Sequence, residues 1–374
     1  MRVSPTDALA MRMISLLLAP RPSSYGSEPV PSDVAGVVTW LGAMQAQDNA
    51  SAAWSFGMRL PGLTAAGLDA AIERREAVRT WPMRGTVHYV PPRDAHWMLD
   101  LMGARVLAGA AKRRAYLGLS QEVADRSVDV FGEALAGGKR LTRAQCLDAL
   151  RDNGIDVGSH LGYHLLWYAS QRGVTCFAPN VGNEQAFMLL DEFVPDPHRL
   201  DPEEALATIA LRYFRGHGPT TAADFAGWTG LPITACRRGI AATGDALAQV
   251  DVDGVPMVAD RALVESFPFG ARASRRASAL PGFDEYLLGY KDRSLMLDEQ
   301  HTQAVIPGGN GVFQPTVVLA GRVVGTWRRA TKRARVEVTV TPFGTLRTRD
   351  RTAVEAAFRP YGGFVGLPCT VTWA

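Results

Sequence analysis

The sequence predicts an α+β protein of three tandem winged helix-turn-helix modules followed by a β-rich C-terminal module. Three observations carry this reading. A helix–turn–helix–strand order recurs along the chain, with presumed wings near Tyr89, Phe177 and Val258, in steps of 88 and 81 residues. The third copy closes on a strong hairpin signal, Asp253-Gly254 between two apolar runs. Beyond Pro268 helical spacing gives way to alternation. At 374 residues the chain is too long for one small core. The expected segments are 1–125, 126–200, 201–267 and 268–374.

The elements follow in order. The apolar run Met13 to Ala19 is too short to span a bilayer and lacks a basic leader, so it predicts an amphipathic first helix ended by Pro20 and Pro22. In the first module 33–47 reads as one helix and 64–73 as a second. Val78 to Val90 reads as an arginine-bearing hairpin. In the second module Thr142 caps a helix, Gly154 and Gly158 turn the chain, His160 to Ala169 forms a helix, and Val174 to Phe177 a short strand. In the third, Thr220 and Thr221 cap a helix that stops at Gly230. Pro232 opens the next helix, which carries Arg237 and Arg238. A module of this order commonly sets its second helix in the major groove of duplex DNA. In the tail, Val312 to Leu319 and Arg322 to Arg329 flank the turn Ala320-Gly321. Arg335 to Thr341 alternates with period two, Asp350 to Phe358 is helical, and Cys369 to Trp373 is a last strand.

Composition narrows the function. With 47% hydrophobic and 21% charged residues, wholesale disorder is excluded. Four scattered cysteines without a CxxC pair give no disulfide framework, which predicts a reduced, cytoplasmic protein. The net charge of +3 names no partner, but the basic residues are grouped. Arg272, Arg275 and Arg276 share one segment; Arg328, Arg329, Lys332, Arg333 and Arg335 fall within eight residues. Singly, each group reads as a solvated face; together with repeated DNA-binding-type modules they point to phosphate contacts. Only Lys112, Lys139, Lys291 and Lys332 are lysines. That leaves 36 of the 40 basic residues as arginine, an excess that codon bias alone could produce. Walker A, HExxH, GxSxG and a strand-flanked GxGxxG are all missing. His160 and His164 share a helix face at i, i+4 but lack a third ligand, so no metal and no cofactor is expected.

Four stretches carry a family likeness: Met44-Gln45-Ala46-Gln47-Asp48, Thr80 to His88, Pro281 to Arg293, and the hairpin from Phe313 to Arg329. Together they resemble the winged-helix DNA glycosylases of the AlkZ type, from about Asp7 to the C-terminus. The resemblance implies a C-shaped DNA-binding surface and excision of bulky or crosslinking N7-alkylpurines, in DNA repair or antibiotic self-resistance. It also implies a Gln-x-Gln motif here matched by Gln45 and Gln47. A related branch has Asp at the second position; with Gln47 there, this sequence resembles the azinomycin-resistance branch. The chemistry suits the residues. An N7-alkylguanine already carries positive charge and leaves without protonation. Two amides that donate and accept can then hold a water and contact the sugar. Arg84 and His88 are expected to support the site from the first wing. Arg237, Arg238, Arg322, Arg328, Arg329, Lys332 and Arg333 are expected on DNA, with the hairpin from Val317 to Trp327 probing the groove. The expected partner is double-stranded DNA carrying alkyl adducts, bound by a monomer with nucleoid-associated localisation and no membrane contact. The alternative, a non-catalytic winged-helix regulator, would want a dimerisation helix, and none is obvious.

Overall fold

The computed structural model describes all residues except 26–28, 156–157, 183 and 270–275. Arg272 and Arg275 therefore lie outside the described residues. The chain forms two compact units, Met1–Leu68 with Leu206–Ala374, and Asp69–Ala205. These cut the sequence at other points than the four linear segments.

In the first unit, Ser4 caps the helix Pro5–Ser15, accepting from the Asp7 N–H, with Pro5 at its start. The helix stops before Pro20, at Leu16, and Leu17 turns the chain at φ 59°. Asp33 caps Val34–Leu41, and here the expected helix 33–47 is wrong. Gly42, at φ 78°, returns its N–H to the Val38 carbonyl and ends the helix. The chain then extends through the strand Met44–Gln45. Asp48 caps a helix absent from the sequence reading, Asn49–Arg59, by accepting from the Ser51 N–H.

The third module follows its sequence closely. Thr221 and Asp224 form a capping box on Ala222–Thr229, and Gly230 ends that helix in the left-handed region. Ile233–Ala242 follows Pro232. Strands Leu247–Val252 and Val255–Asp260 are joined by Asp253 (φ 52°) and Gly254 (φ 83°), the positive pair that a two-residue hairpin turn needs. The strand Arg2–Val3 adds to this wing in parallel.

The tail is an open five-stranded sheet in the order Ala277–Leu280, Thr316–Leu319, Arg322–Thr331, Val336–Pro342, Cys369–Trp373. The last pair is parallel, the others antiparallel. Helices Thr348–Ala357 and Arg359–Val365 cover it, burying Val354, Phe358, Tyr361 and Phe364 against Trp54 and Trp327. Burying a large apolar side chain is worth about 1.5–3 kcal/mol, so this cluster is a main stabilising element of the unit.

In the second unit the strands run Thr86–Val90, Val78–Met83, Thr175–Val181, Glu184–Leu189, Leu141–Thr142. The first two presumed wings thus share one sheet, joined where Arg79 pairs with Phe177 and lays its guanidinium 4.2 Å from that ring. Helices Ala104–Tyr116, Gln121–Leu135, Arg143–Asp152 and Ser159–Gln171 are its longer helices. The cysteines are free, three of them buried. No helix among the described residues is long and apolar enough to cross a membrane.

Candidate active site

Gln45 is buried and Gln47, two residues on, is exposed. Between the stop at Gly42 and the cap at Asp48 the chain cannot slide, so the Gln45-Ala46-Gln47 turn is pinned at both ends. A further pin comes from the segment Pro281 to Tyr290. Glu285, 1% exposed, accepts the Gln45 main-chain N–H on Oε1 at 2.9 Å. This contact does not consume the Gln45 side-chain amide. Trp228 donates its indole N–H to Glu285 Oε2 at 2.9 Å.

Its neighbour Asp284 holds the helix that follows the turn. Arg59 reaches it with two bonds, Nη1 to Oδ2 at 2.8 Å and Nη2 to Oδ1 at 3.1 Å, with both side chains buried. Ser55 donates to the same Oδ2 at 2.7 Å, and Arg59 Nε to the Leu16 carbonyl at 2.9 Å. A bidentate pair with its remaining lone pairs satisfied is the arrangement in which a buried charge is tolerated. Asp284 also accepts from the Tyr286 N–H and so caps the short helix Glu285–Leu288. The approach depends on Gly282, where a Cβ would stand 2.6 Å from the Phe313 carbonyl oxygen. Farther along, Tyr290 donates its hydroxyl to the His217 carbonyl at 2.7 Å; burial pushes this phenol up, so it stays a donor.

The other predicted residues fall in several places. Arg84 and His88 come together in the second unit. His88 Nδ1 donates to the Thr86 carbonyl at 2.9 Å, which leaves Nε2 to accept from Arg84 Nη2 at 3.3 Å, and the imidazole is wholly buried. Arg237 and Arg238 are exposed on Ile233–Ala242. Its inner face is closed by Gly239, whose Cβ would lie 2.7 Å from the Leu206 carbonyl oxygen. Arg322 pairs with Asp298 and donates to the Leu295 carbonyl. Arg328 is exposed, whereas Arg329, one residue along the pleat, lies on the covered face beside Tyr361.

The hairpin from Val317 to Trp327 is not a free probe. Val317, Val318 and Trp327 are core residues, and the Trp327 indole donates to the Leu280 carbonyl at 2.7 Å. Its tip is buried too: Gly321 sits against Leu9, and its carbonyl accepts the Tyr286 hydroxyl. The exposed turn is the next one, Lys332 to Arg335, where Lys332 and Arg333 are both solvated and the Lys332 N–H closes on the Arg335 carbonyl at 2.9 Å. Among the described residues no three His, Cys, Asp or Glu side chains converge as a metal site, and His164 stacks on Trp167 instead.

Residues 38–364 match the family model described as DNA glycosylase AlkZ-like. The chain belongs to the AlkZ-like DNA glycosylases. It is similar to a Streptomyces sahachiroi protein named interstrand DNA cross-link repair glycosylase, at 31% identity over 92% of this chain and 91% of that one. The solved structure of the Streptomyces sahachiroi DNA glycosylase AlkZ matches over the whole of both chains, with a TM-score of 0.81 and 27% identity. Membership fits the α+β fold of winged modules. What sequence reading missed in this glycosylase is the hold on its Gln turn. Glu285 lies in one of the family-like stretches, but its role is set by Trp228, 57 residues away. Asp284 and Arg59 are 225 residues apart, and only the fold brings them together.

Proposed function

We propose that this glycosylase hydrolyses the N-glycosidic bond of bulky N7-alkylated purines in duplex DNA, interstrand crosslinks included, as a monofunctional enzyme acting as a monomer in the cytoplasm. The observation that carries the reading is the Gln45–Gln47 turn, held at its start by Glu285 on the Gln45 main-chain N–H and at its end by the Asp48 cap. The purine leaves as a neutral base because N7 alkylation has already charged it. The remaining task is to fix a water near C1′ and stabilise an oxocarbenium-like sugar, which preoriented amides perform. None of the four lysines lies near Gln45 in sequence, which favours water over a Schiff base. Arg237, Arg238, Lys332 and Arg333 serve as phosphate contacts. The crosslink reading follows the name of the Streptomyces relative. The three winged modules and the tail, at the boundaries expected above, remain our division of the chain.

The test uses duplex carrying N7-methylguanine or a bulky N7 adduct, with alkali to reveal abasic sites. Wild type is expected to give scission only after alkali and no borohydride-trapped adduct. Gln45→Ala with Gln47→Ala is expected to lose about 10²-fold or more in single-turnover rate. Full activity in that double variant refutes the assignment.

A further inference from the structure

The carboxylate that holds Gln45 is itself incomplete without a proton. His217, fully buried, places Nε2 3.3 Å from Glu285 Oε2. Its Nδ1 lies 3.1 Å from the Tyr213 carbonyl. A carbonyl oxygen only accepts, so Nδ1 carries a hydrogen, and this tautomer follows from the network. Nε2 and Oε2 then face each other across a single proton. They are either imidazolium against carboxylate or neutral imidazole accepting from a carboxylic acid. Without that proton two lone pairs would oppose one another away from water.

The site is built around this contact. The imidazole stacks on the Tyr213 ring, with centroids 4.7 Å apart, and Trp228 lies at 5.4 Å. Gly289 makes room for it, since a Cβ there would stand 2.3 Å from His217 Cδ2. The surrounding ionisable groups are already engaged. Arg12 stands 4.1 Å over the Tyr290 ring and donates to the Pro219 carbonyl. Asp224 accepts the Lys291 and Asp292 N–H groups. Asp284 has Arg59, and the Tyr213 and Tyr290 hydroxyls donate to the Gly289 and His217 carbonyls. Tyr286 donates to the Gly321 carbonyl.

We propose that His217 and Glu285 form a proton-sharing pair that positions the Gln45–Gln47 turn for excision. The inference rests on the assignment of that turn as the catalytic element. With its proton the pair keeps Glu285 aimed at the Gln45 N–H. Loss of the proton at high pH turns Oε2 from Nε2 and loosens the turn. Excision therefore falls on the alkaline side.

Single-turnover excision from an N7-methylguanine duplex is measured from about pH 6 to 9. Binding to an abasic-site duplex and thermal melting are measured alongside. Wild type is expected to lose rate on the alkaline side. His217→Gln keeps an N–H donor toward Oε2 but nothing to titrate, and is expected to be flat over the same range. Glu285→Gln is expected to be about tenfold slower, with DNA affinity unchanged. A His217→Gln profile that keeps the wild-type alkaline limb overturns the proposal, as does a folded Glu285→Gln with the wild-type rate. Should Glu285→Gln not fold, the His217→Gln profile decides alone. Gln45→Ala with Gln47→Ala separates the two claims. If that variant is inactive while His217→Gln keeps the limb, only the positioning pair is wrong. If it is fully active, the assignment of the turn fails and this proposal with it.

Discussion

The turn that carries Gln45 and Gln47 and the turn that carries Lys332 and Arg333 lie in the same compact unit, but they are held in opposite ways. The first is fixed by buried groups from distant sequence: Glu285 on the Gln45 N–H, and Arg59 on Asp284 at the next helix. The second joins two neighbouring strands of a sheet and is closed by its own main chain, with its side chains in solvent. The difference suits the two tasks proposed for them. An amide that orients a water must sit within fractions of an ångström, and only a rigid surround does that. A cation that meets a phosphate gains from reach and mobility, and salt screens what it gains.

Breaking the rigid hold has the largest expected effect. Asp284→Ala leaves Arg59 as an uncompensated buried cation, which costs about 3–5 kcal/mol of folding stability. Urea unfolding checks this. A loss below about 1 kcal/mol, the range of an exposed pair, removes the contrast between the two turns.

A second test sharpens the same hold through pH. Asp224 ties the far end of the Glu285 segment to the helix Ala222–Thr229. Burial by itself raises its carboxyl. Hydrogen bonds from the Thr221 hydroxyl and from the N–H groups of Asp292, Thr221 and Lys291 outweigh it, and the net shift is downward. A folded-state pKa below the unfolded one gives stability that is present above the unfolded value, about 3.9, and lost as pH falls through the folded one. Asp224→Asn is therefore expected to cost about 1–2 kcal/mol near neutral pH. The gap from wild type should narrow on acidification below about pH 4. A gap that stays constant through that range assigns the loss to packing instead of charge.

What the sequence disclosed follows the same divide. Local chemistry was legible: Thr221 with Asp224, Gly230, and Asp253-Gly254 each set their own few residues, and the structure has the elements they predict. The break at Gly42 was not, because Gly42 to Asp48 keeps enough apolar character to prolong a helical pattern. Gln47 read as the end of one helix, whereas that helix stops at Leu41 and Asp48 starts the next. The hairpin from Val317 to Trp327 carries arginines at its margins, which suggest a DNA-facing surface. Its Val and Trp residues belong to the core of the sheet. Least legible was the hold itself. Trp228 and His217 stand 57 and 68 residues from Glu285 along the chain, a distance that no spacing rule spans. The proposal of the Gln turn rests on family likeness, since two polar residues near a helix end carry no signal of their own.

The smallest expected effects belong to the exposed turn. Replacing Lys332 and Arg333 by Ala should leave stability within about 0.5 kcal/mol, because neither side chain is buried. Duplex affinity, followed by fluorescence anisotropy across a salt series, should fall modestly. The slope of log affinity against log salt should flatten by about one for each phosphate no longer neutralised. Arg322→Ala is the internal contrast. Its guanidinium is already engaged by Asp298 and the Leu295 carbonyl, so the slope should not change. An exposed pair of that kind is worth about 0–1 kcal/mol, so melting should scarcely move. If Arg322→Ala flattens the slope and the Lys332, Arg333 variant does not, the DNA-facing turn of this sheet is the buried-tip hairpin after all. The contrast between a rigid turn for chemistry and a loose turn for phosphate then fails at its second term.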